Sequence, residues 1–350
     1  MKRFSEFVSL GHPDKIADYI SQYILDRYIE RDPDTRYAVE VQIKNYRVTL
    51  GGEVSSNVAF TNADFRRFCC EAVEQIGYND AYVLRWGADN AICGRQLEVE
   101  SLISQQSPDI ARGLDGWGDQ GIFFGFATPD ASFGYMPKDH AIAKRLCKAL
   151  FDSGVGGLDI KTQVVMSGDT VEKIIAAIPL QDDASVKTVK SIVRKCVNGR
   201  CEVVVNGTGR YVRHSSIADC GTTGRKLAVD FYGGSCKIGG GSPWTKDASK
   251  ADLTLNLAAR KIALSWAKSV GVPCIASLAC CIGRREVDAC VTDEAGNVLY
   301  EGLFSASPER FRHDFGLDKP IYAEMCRWGL FGEFQKDKGW EYLEGLKSSC

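Results

Sequence analysis

Three times along the 350 residues, short runs of alternating apolar and polar residues lead into a stretch with helical spacing, and this recurrence most restricts the fold. In the first pass a helix is expected over 13–30, with Pro13 at the first helical position and an apolar stripe of Ile16, Ile20, Tyr23, Ile24 and Tyr28. Asp32-Pro33-Asp34 ends it. Tyr37, Val39, Val41 and Ile43 then alternate with Ala38, Glu40 and Gln42, and Val48 and Leu50 follow a turn at Asn45, which predicts an antiparallel pair. A helix over 62–76 is closed by Gly77. The second pass runs through Ile160, Thr162, Val164 and Met166, then 171–179, then a helix over 183–197. The third has strands near 274–281, 286–292 and 298–303, a turn at 294–297 and a helical start near Ser307. The three stretches are unlike in sequence, so it is the pattern that repeats. It predicts an α+β fold with three similar layers of mostly antiparallel sheet covered by helices.

The length fits two or three domains, and 45% hydrophobic with 25% charged residues is ordinary for a chain that buries a core. Lys and Arg (43) nearly balance Asp and Glu (45), so no global cationic field exists to gather nucleic acid or an anionic membrane. A polyanion would have to be held by a local cluster. The longest uncharged apolar stretch, between Lys268 and Arg284, is broken by Gly271 and Pro273 and is too short to span a bilayer. The N-terminus lacks the apolar core of a signal peptide, and the fourteen cysteines are scattered without C-x-x-C spacing. Reduced thiols and a cytoplasmic location are expected, with no membrane and no nucleic acid as partner.

Glycine is in excess (35 residues) and gathers beside particular polar residues: 113–121, 206–211, 219–226 and 239–247. Glycines let backbone N–H groups turn toward an anion, and Arg225, Lys226, Lys246 and Lys250 add cations, so this region reads as phosphate-binding. It is not a P-loop, because Thr245 stands where G-x-x-x-x-G-K needs Gly. Lys246 and Lys250, four apart, are expected at the start of one helix carrying Asp252. Ser9 to Lys15 brings His12, Asp14 and Lys15 to a helix N-terminus, and Asp159 with Lys161, like Glu40 with Gln42, is expected on one strand face. Taken singly, each is as well read as a turn, a dipole partner or a polar strand face. No catalytic triad order and no metal-spaced cysteine cluster occurs.

These residues match a known pattern nearly end to end. The chain carries G-H-P-D-K at 11–15, G-G-E at 51–53, Q-S-P-D-I at 106–110, G-D-Q-G at 118–121 and T-G-R at 208–210. It also has D-C-G-x-T-G-R-K at 219–226, then G-G-G followed by K-D-x-S-K over 239–250. In that order the motifs resemble the S-adenosylmethionine synthetase family. The resemblance implies three similar interwoven domains: 1–10 with 131–214, 11–109 with 215–253, and 110–130 with 254–350. It further implies a homodimer or dimer of dimers with sites between subunits, ATP and L-methionine as substrates, and two Mg2+ ions per site with K+ as cofactors. The expected product is S-adenosylmethionine, with the triphosphate split to pyrophosphate and phosphate.

By position, the resemblance assigns catalysis to His12, Lys161, Arg225 and Lys246. ATP would be held by these together with Asp159, Arg210, Tyr211, Asp219, Lys226 and Ser242. Methionine would meet Glu53, Gln106, Asp119, Asp219 and Lys250, and Asp14, Glu40 and Asp252 would bear the metals. The chain departs from the family's pattern at Leu10, where the family has Glu, at Tyr211 in place of Phe, and over 242–245. The stretch between Gln106 and Asp119 is short, and 78–105 carries extra residues such as 83–89. Two other readings stay open at this level: a catalytically silent subunit that binds nucleotide or a partner synthetase, and a plain triphosphatase built on the same cations.

Overall fold

The computed structural model describes residues 1–105, 116–197 and 199–342; Gln106 and the Q-S-P-D-I motif lie outside them. The strands form three four-stranded sheets. The first has spatial order Lys2–Val8, Lys161–Ser167, Thr170–Ala177, Glu202–Val205; the central one Glu98–Gln105, Arg47–Ser55, Arg36–Lys44, Gly221–Thr222; the last Val298–Ser305, Glu286–Asp293, Cys274–Cys280, Gly121–Ala127. Neighbours are antiparallel except at two places, Arg47–Ser55 beside Glu98–Gln105 and Thr170–Ala177 beside Glu202–Val205. The predicted α+β class and mostly antiparallel sheets are therefore found.

Helices Pro13–Ile29 and Asn62–Ile76 cover the central sheet, Lys138–Ser153 and Ser185–Cys196 the first, and Ala251–Val270 the last. Alternation explains the seating. Tyr37, Val39, Val41 and Ile43 are buried beneath the helices, while Glu40 and Gln42 face outward. Helix Asn62–Ile76 has the predicted bounds because Thr61 and Asp64 cap it reciprocally and Gly77 ends it. The first sheet has its own apolar cluster around Val164, Met166, Leu146 and Val193, and one larger cluster runs through the central and last sheets. Leu10 joins that larger core.

Two expectations need correction. Lys246 and Lys250 do not open one helix: the helix starts at Ala251, and Lys250 is its N-cap residue. The Asp247 carboxylate accepts the N–H groups of Tyr37 (2.7 Å) and Ser249 (2.8 Å), and Val39 N–H donates to Thr245 O (3.0 Å). Residues 245–247 are thus pinned beside the central sheet outside any helix, with Thr245 in a left-handed turn (φ 80°) and Lys246 bridged to Ala38. Asp159 lies two residues ahead of strand Lys161–Ser167 rather than on its face. All thirteen cysteines among the described residues are free, and no helix among them is long and apolar enough to cross a membrane.

Candidate active site

The site begins at a close approach. Ser9 N–H donates to Ile160 O (2.9 Å), Ile160 N–H donates back to Ser9 Oγ (2.9 Å), and Ser9 Oγ–H reaches Leu158 O (2.5 Å). A Cβ on Gly11 would lie 2.3 Å from Leu158 O, so only glycine lets 9–13 pass 158–160. On the other side a Cβ on Gly221 would meet Pro13 O at 2.1 Å. The start of helix Pro13–Ile29 is thereby wedged between the first sheet and the 219–226 segment.

This wedging gathers seven predicted residues. His12 is the helix N-cap, and its Nδ1 accepts Asp14 N–H (3.1 Å), which leaves the ring proton on Nε2. Burial first, then the ammoniums of Lys161 and Lys226, push its pKa down to about 2, so the imidazole is neutral. The Asp14 carboxylate accepts Thr222 N–H (2.9 Å) and Lys226 Nζ (2.6 Å), and Arg225 Nη1 lies 3.8 Å away. Asp159 accepts Ser215 N–H (3.1 Å); burial pushes its pKa up to about 6, against the pull of that bond and of Lys161. The charges of Asp219 and Asp14 reach the same carboxyl.

Beneath this cluster Lys15 Nζ donates to both oxygens of Asp230 (2.8 and 2.7 Å) and to Asp18 (3.0 Å), while Trp244 Nε1–H also bonds Asp230 (2.7 Å). Asp18 in turn accepts Gly224 N–H (2.9 Å). This buried knot ties the helix to 224–230 and 244, so the glycine-rich segments are held rather than loose.

A second group lies along the outer face of the central sheet. Glu40 accepts the hydroxyls of Thr223 and Thr245, and Lys246 pairs with Asp252. Glu53 and Lys246 both register against Ala38, which sets all three on one row. Cys280 Sγ–H donates to Asp119 O (3.3 Å), and the Asp252 carboxylate packs against Gly241. Ser242 borders Gly224 and links the two groups. Tyr211 lies near Asp159, but Arg210 turns outward to Gln181 O (2.8 Å) and Asp183 (3.3 Å) and does not join the cations.

Thr223, Thr245, Asp18 and Ser215 escaped the sequence reading. Both threonines sit inside flagged glycine-rich stretches, whereas Asp18 and Ser215 act through backbone N–H bonds that no motif advertises. Among the described residues no group of three or more His, Cys, Asp or Glu is placed to hold a metal unaided.

Comparison with known proteins agrees over the whole length. The N-terminal domain of S-adenosylmethionine synthetase matches residues 2–108 and its C-terminal domain matches 214–342. S-adenosylmethionine synthases of Myxococcus xanthus (31% identical; 99% of this chain, 93% of the relative) and Acholeplasma laidlawii (33%; 98% and 97%) align almost end to end. A solved structure described as an unusual S-adenosylmethionine synthetase from Campylobacter jejuni superposes with a TM-score of 0.88 at 31% identity, covering 99% of this chain and 98% of that one. On its sheets, its motifs and these matches, the chain belongs to the S-adenosylmethionine synthetase family.

Proposed function

We propose that the chain forms S-adenosylmethionine from ATP and L-methionine by attack of the thioether sulfur on C5′ of ATP, and then hydrolyses the bound triphosphate to pyrophosphate and phosphate. The observation that carries this reading is the gathering of His12, Lys161, Arg225 and Lys226 around Asp14 with no nucleophile or general base among them. A neutral thioether needs no base. It needs alignment, which can supply about 7–11 kcal/mol of the barrier, and a cage for a leaving group of roughly four negative charges.

His12 is fixed as a neutral Nε2–H donor, which suits a bridging oxygen of the departing polyphosphate. Lys161, Arg225, Lys226 and Lys246 would take its charge, with Ser242 on the phosphates. Asp159 and Tyr211 would hold the nucleoside and Asp219 both substrates. Glu53, Asp119 and Lys250 would line the methionine side, the two carboxylates suiting its ammonium; Gln106 is assigned there by resemblance alone. Arg210 would have to leave Gln181 to reach the base.

Mg2+ commonly uses one or two carboxylates plus substrate phosphates. Asp14 and Asp252 would supply such carboxylates once Lys226 and Lys246, now paired with them, turned to the phosphates, and Glu40 among threonine hydroxyls fits K+. When bound, Mg2+ would neutralise charge on the triphosphate. We further assign the three sheets to the three interwoven domains at the boundaries given above, and the working form to a homodimer or dimer of dimers with shared sites. Purified protein with ATP, methionine, Mg2+ and K+ should release adenosylmethionine, pyrophosphate and phosphate in equal amounts. No product at micromolar enzyme would overturn the proposal, and phosphate release as fast without methionine would favour a triphosphatase.

A further inference from the structure

We propose that residues 79–93, which include the 83–89 residues expected above to be extra, form a brace that sets the nucleoside side of the site, with Tyr82 as a positioning residue acting through His214 and Leu158 on Asp159. The inference rests on the ATP reading above and assigns a role to a segment that reading leaves without one.

The brace is a short helix, Asp80–Trp86, begun by Asn79, whose side chain accepts Tyr82 N–H (3.0 Å). Tyr82 Oη accepts Leu158 N–H (2.9 Å) and lies 2.6 Å from His214 Nε2. His214 Nδ1 lies 2.6 Å from Val212 O, which can only accept, so the proton is on Nδ1 and Tyr82 O–H donates to Nε2. One hydroxyl therefore joins 158, immediately before Asp159, to 214, immediately before Ser215. The rings agree: Tyr82 and Trp86 both meet His214 edge-on, at 5.7 and 5.0 Å.

Ser215 shows what the brace maintains. It is buried, has φ of 58° without being glycine, and gives its N–H to Asp159 (3.1 Å). Such a conformation persists only where surrounding bonds enforce it. Here they come from the same segment: Ile92 N–H donates to Ser215 Oγ (3.3 Å) and His214 N–H to Asn90 O (2.8 Å). A third tie reaches Gln181, whose amide donates to Arg85 O (2.6 Å) while Arg85 Nε–H donates to its Oε1 (3.2 Å); Gln181 O is the acceptor of Arg210. Asp159 and Arg210 are thus set from outside by one segment, whereas Arg225, Lys226 and Lys246 form no bond to it among the described residues.

That asymmetry gives the test. On the full chain, the Kd of ATP and of inorganic tripolyphosphate, which lacks a nucleoside, is measured by calorimetry for wild type, Tyr82→Phe and Arg85→Ala. Tyr82→Phe strands the half-buried Leu158 N–H and should weaken ATP about tenfold, with tripolyphosphate unchanged within twofold and kcat at saturating ATP nearly kept. Arg85→Ala, altered only at the surface, loosens the Gln181 that holds Arg210 away from the base, so it should tighten ATP about threefold with tripolyphosphate again unchanged, and it serves alone if Tyr82→Phe fails to fold. His214→Gln, which keeps an acceptor for Tyr82, should retain ATP binding better than His214→Ala. Unchanged ATP binding in both Tyr82→Phe and Arg85→Ala, or equal changes for ATP and tripolyphosphate, would overturn the brace. A wild type that binds neither probe would instead overturn the ATP reading.

Discussion

Lys161 and Asp159 lie two residues apart yet lead to different expectations. The Lys161 ammonium depresses His12 and is exposed, so it is available to charge that appears on the triphosphate only as the C–O bond breaks. Lys161→Ala should therefore lower kcat about a hundredfold or more while the KM for ATP moves less than about threefold, because a donor to developing charge acts in the transition state. Steady-state kinetics on purified protein checks this, and an unchanged kcat would refute the placement. Asp159 is the group whose titration should be seen. Burial holds its pKa at about 6, so kcat/KM should climb as pH rises through 6, and Asp159→Asn should flatten that limb. His12, held down to about 2, should add no break near neutrality. The sign for stability is opposite: the native carboxyl keeps its proton to higher pH than the unfolded one, so between about pH 4 and 6 wild type should lose stability relative to Asp159→Asn as pH rises. At this scale the sequence was informative where a side chain does the chemistry, as with His12 and Asp14. It was silent where a backbone N–H does, as with Ser215 on Asp159.

Helix Pro13–Ile29 was legible because its stripe is local and its N-terminus is announced by Gly11 and Pro13. What anchors it was not. The Lys15–Asp230 pair spans more than two hundred residues of sequence, and no spacing rule connects them. Burial alone would lower the Lys15 pKa, but Asp230, with Cys326 and Asp18 after it, holds it well above the usual range. Asp230→Asn should cost about 3–5 kcal/mol in chemical denaturation, since it leaves an under-compensated buried ammonium. Lys15→Met combined with Asp230→Asn should recover part of that loss. The 245–250 segment is the contrary case. A four-residue cation spacing suggested a helix, but the Asp247 carboxylate bonds two backbone N–H groups and holds the chain in a bridge and turn instead. Local periodicity yielded to one tertiary anchor there. Gly11→Ala tests the wedge at the same scale: a Cβ against Leu158 O has nowhere to go, so both melting temperature and turnover should fall, whereas Gly240→Ala, with open space around it, should leave the melting temperature unchanged.

Across the whole molecule, sequence pattern revealed the pairs joined by short turns and missed the strands that complete each sheet. Lys2–Val8 pairs with Lys161–Ser167, and Gly121–Ala127 with Cys274–Cys280. Such distant pairing leaves each strand with an ordinary alternation and no sign of its neighbour. The same interweaving leaves the outer face of the central sheet open, and that face bears Glu40 and Glu53, the proposed K+ and methionine carboxylates. Its rows place Glu40, Gly51 and Leu102 side by side, and Leu102 is 62% exposed. Acids meant to act in a water-poor cleft need a cover, and a second copy laid on this face by a twofold axis would supply one and would cover Leu102 as well. Sedimentation should therefore show at least a dimer. Leu102→Lys places a charge in that contact twice over, and should give a monomer of unchanged circular dichroism whose adenosylmethionine synthesis falls more than about a hundredfold. A fully active monomer would place every required residue within one chain and sink the shared-site reading, while leaving the assignment of His12, Lys161 and Arg225 standing.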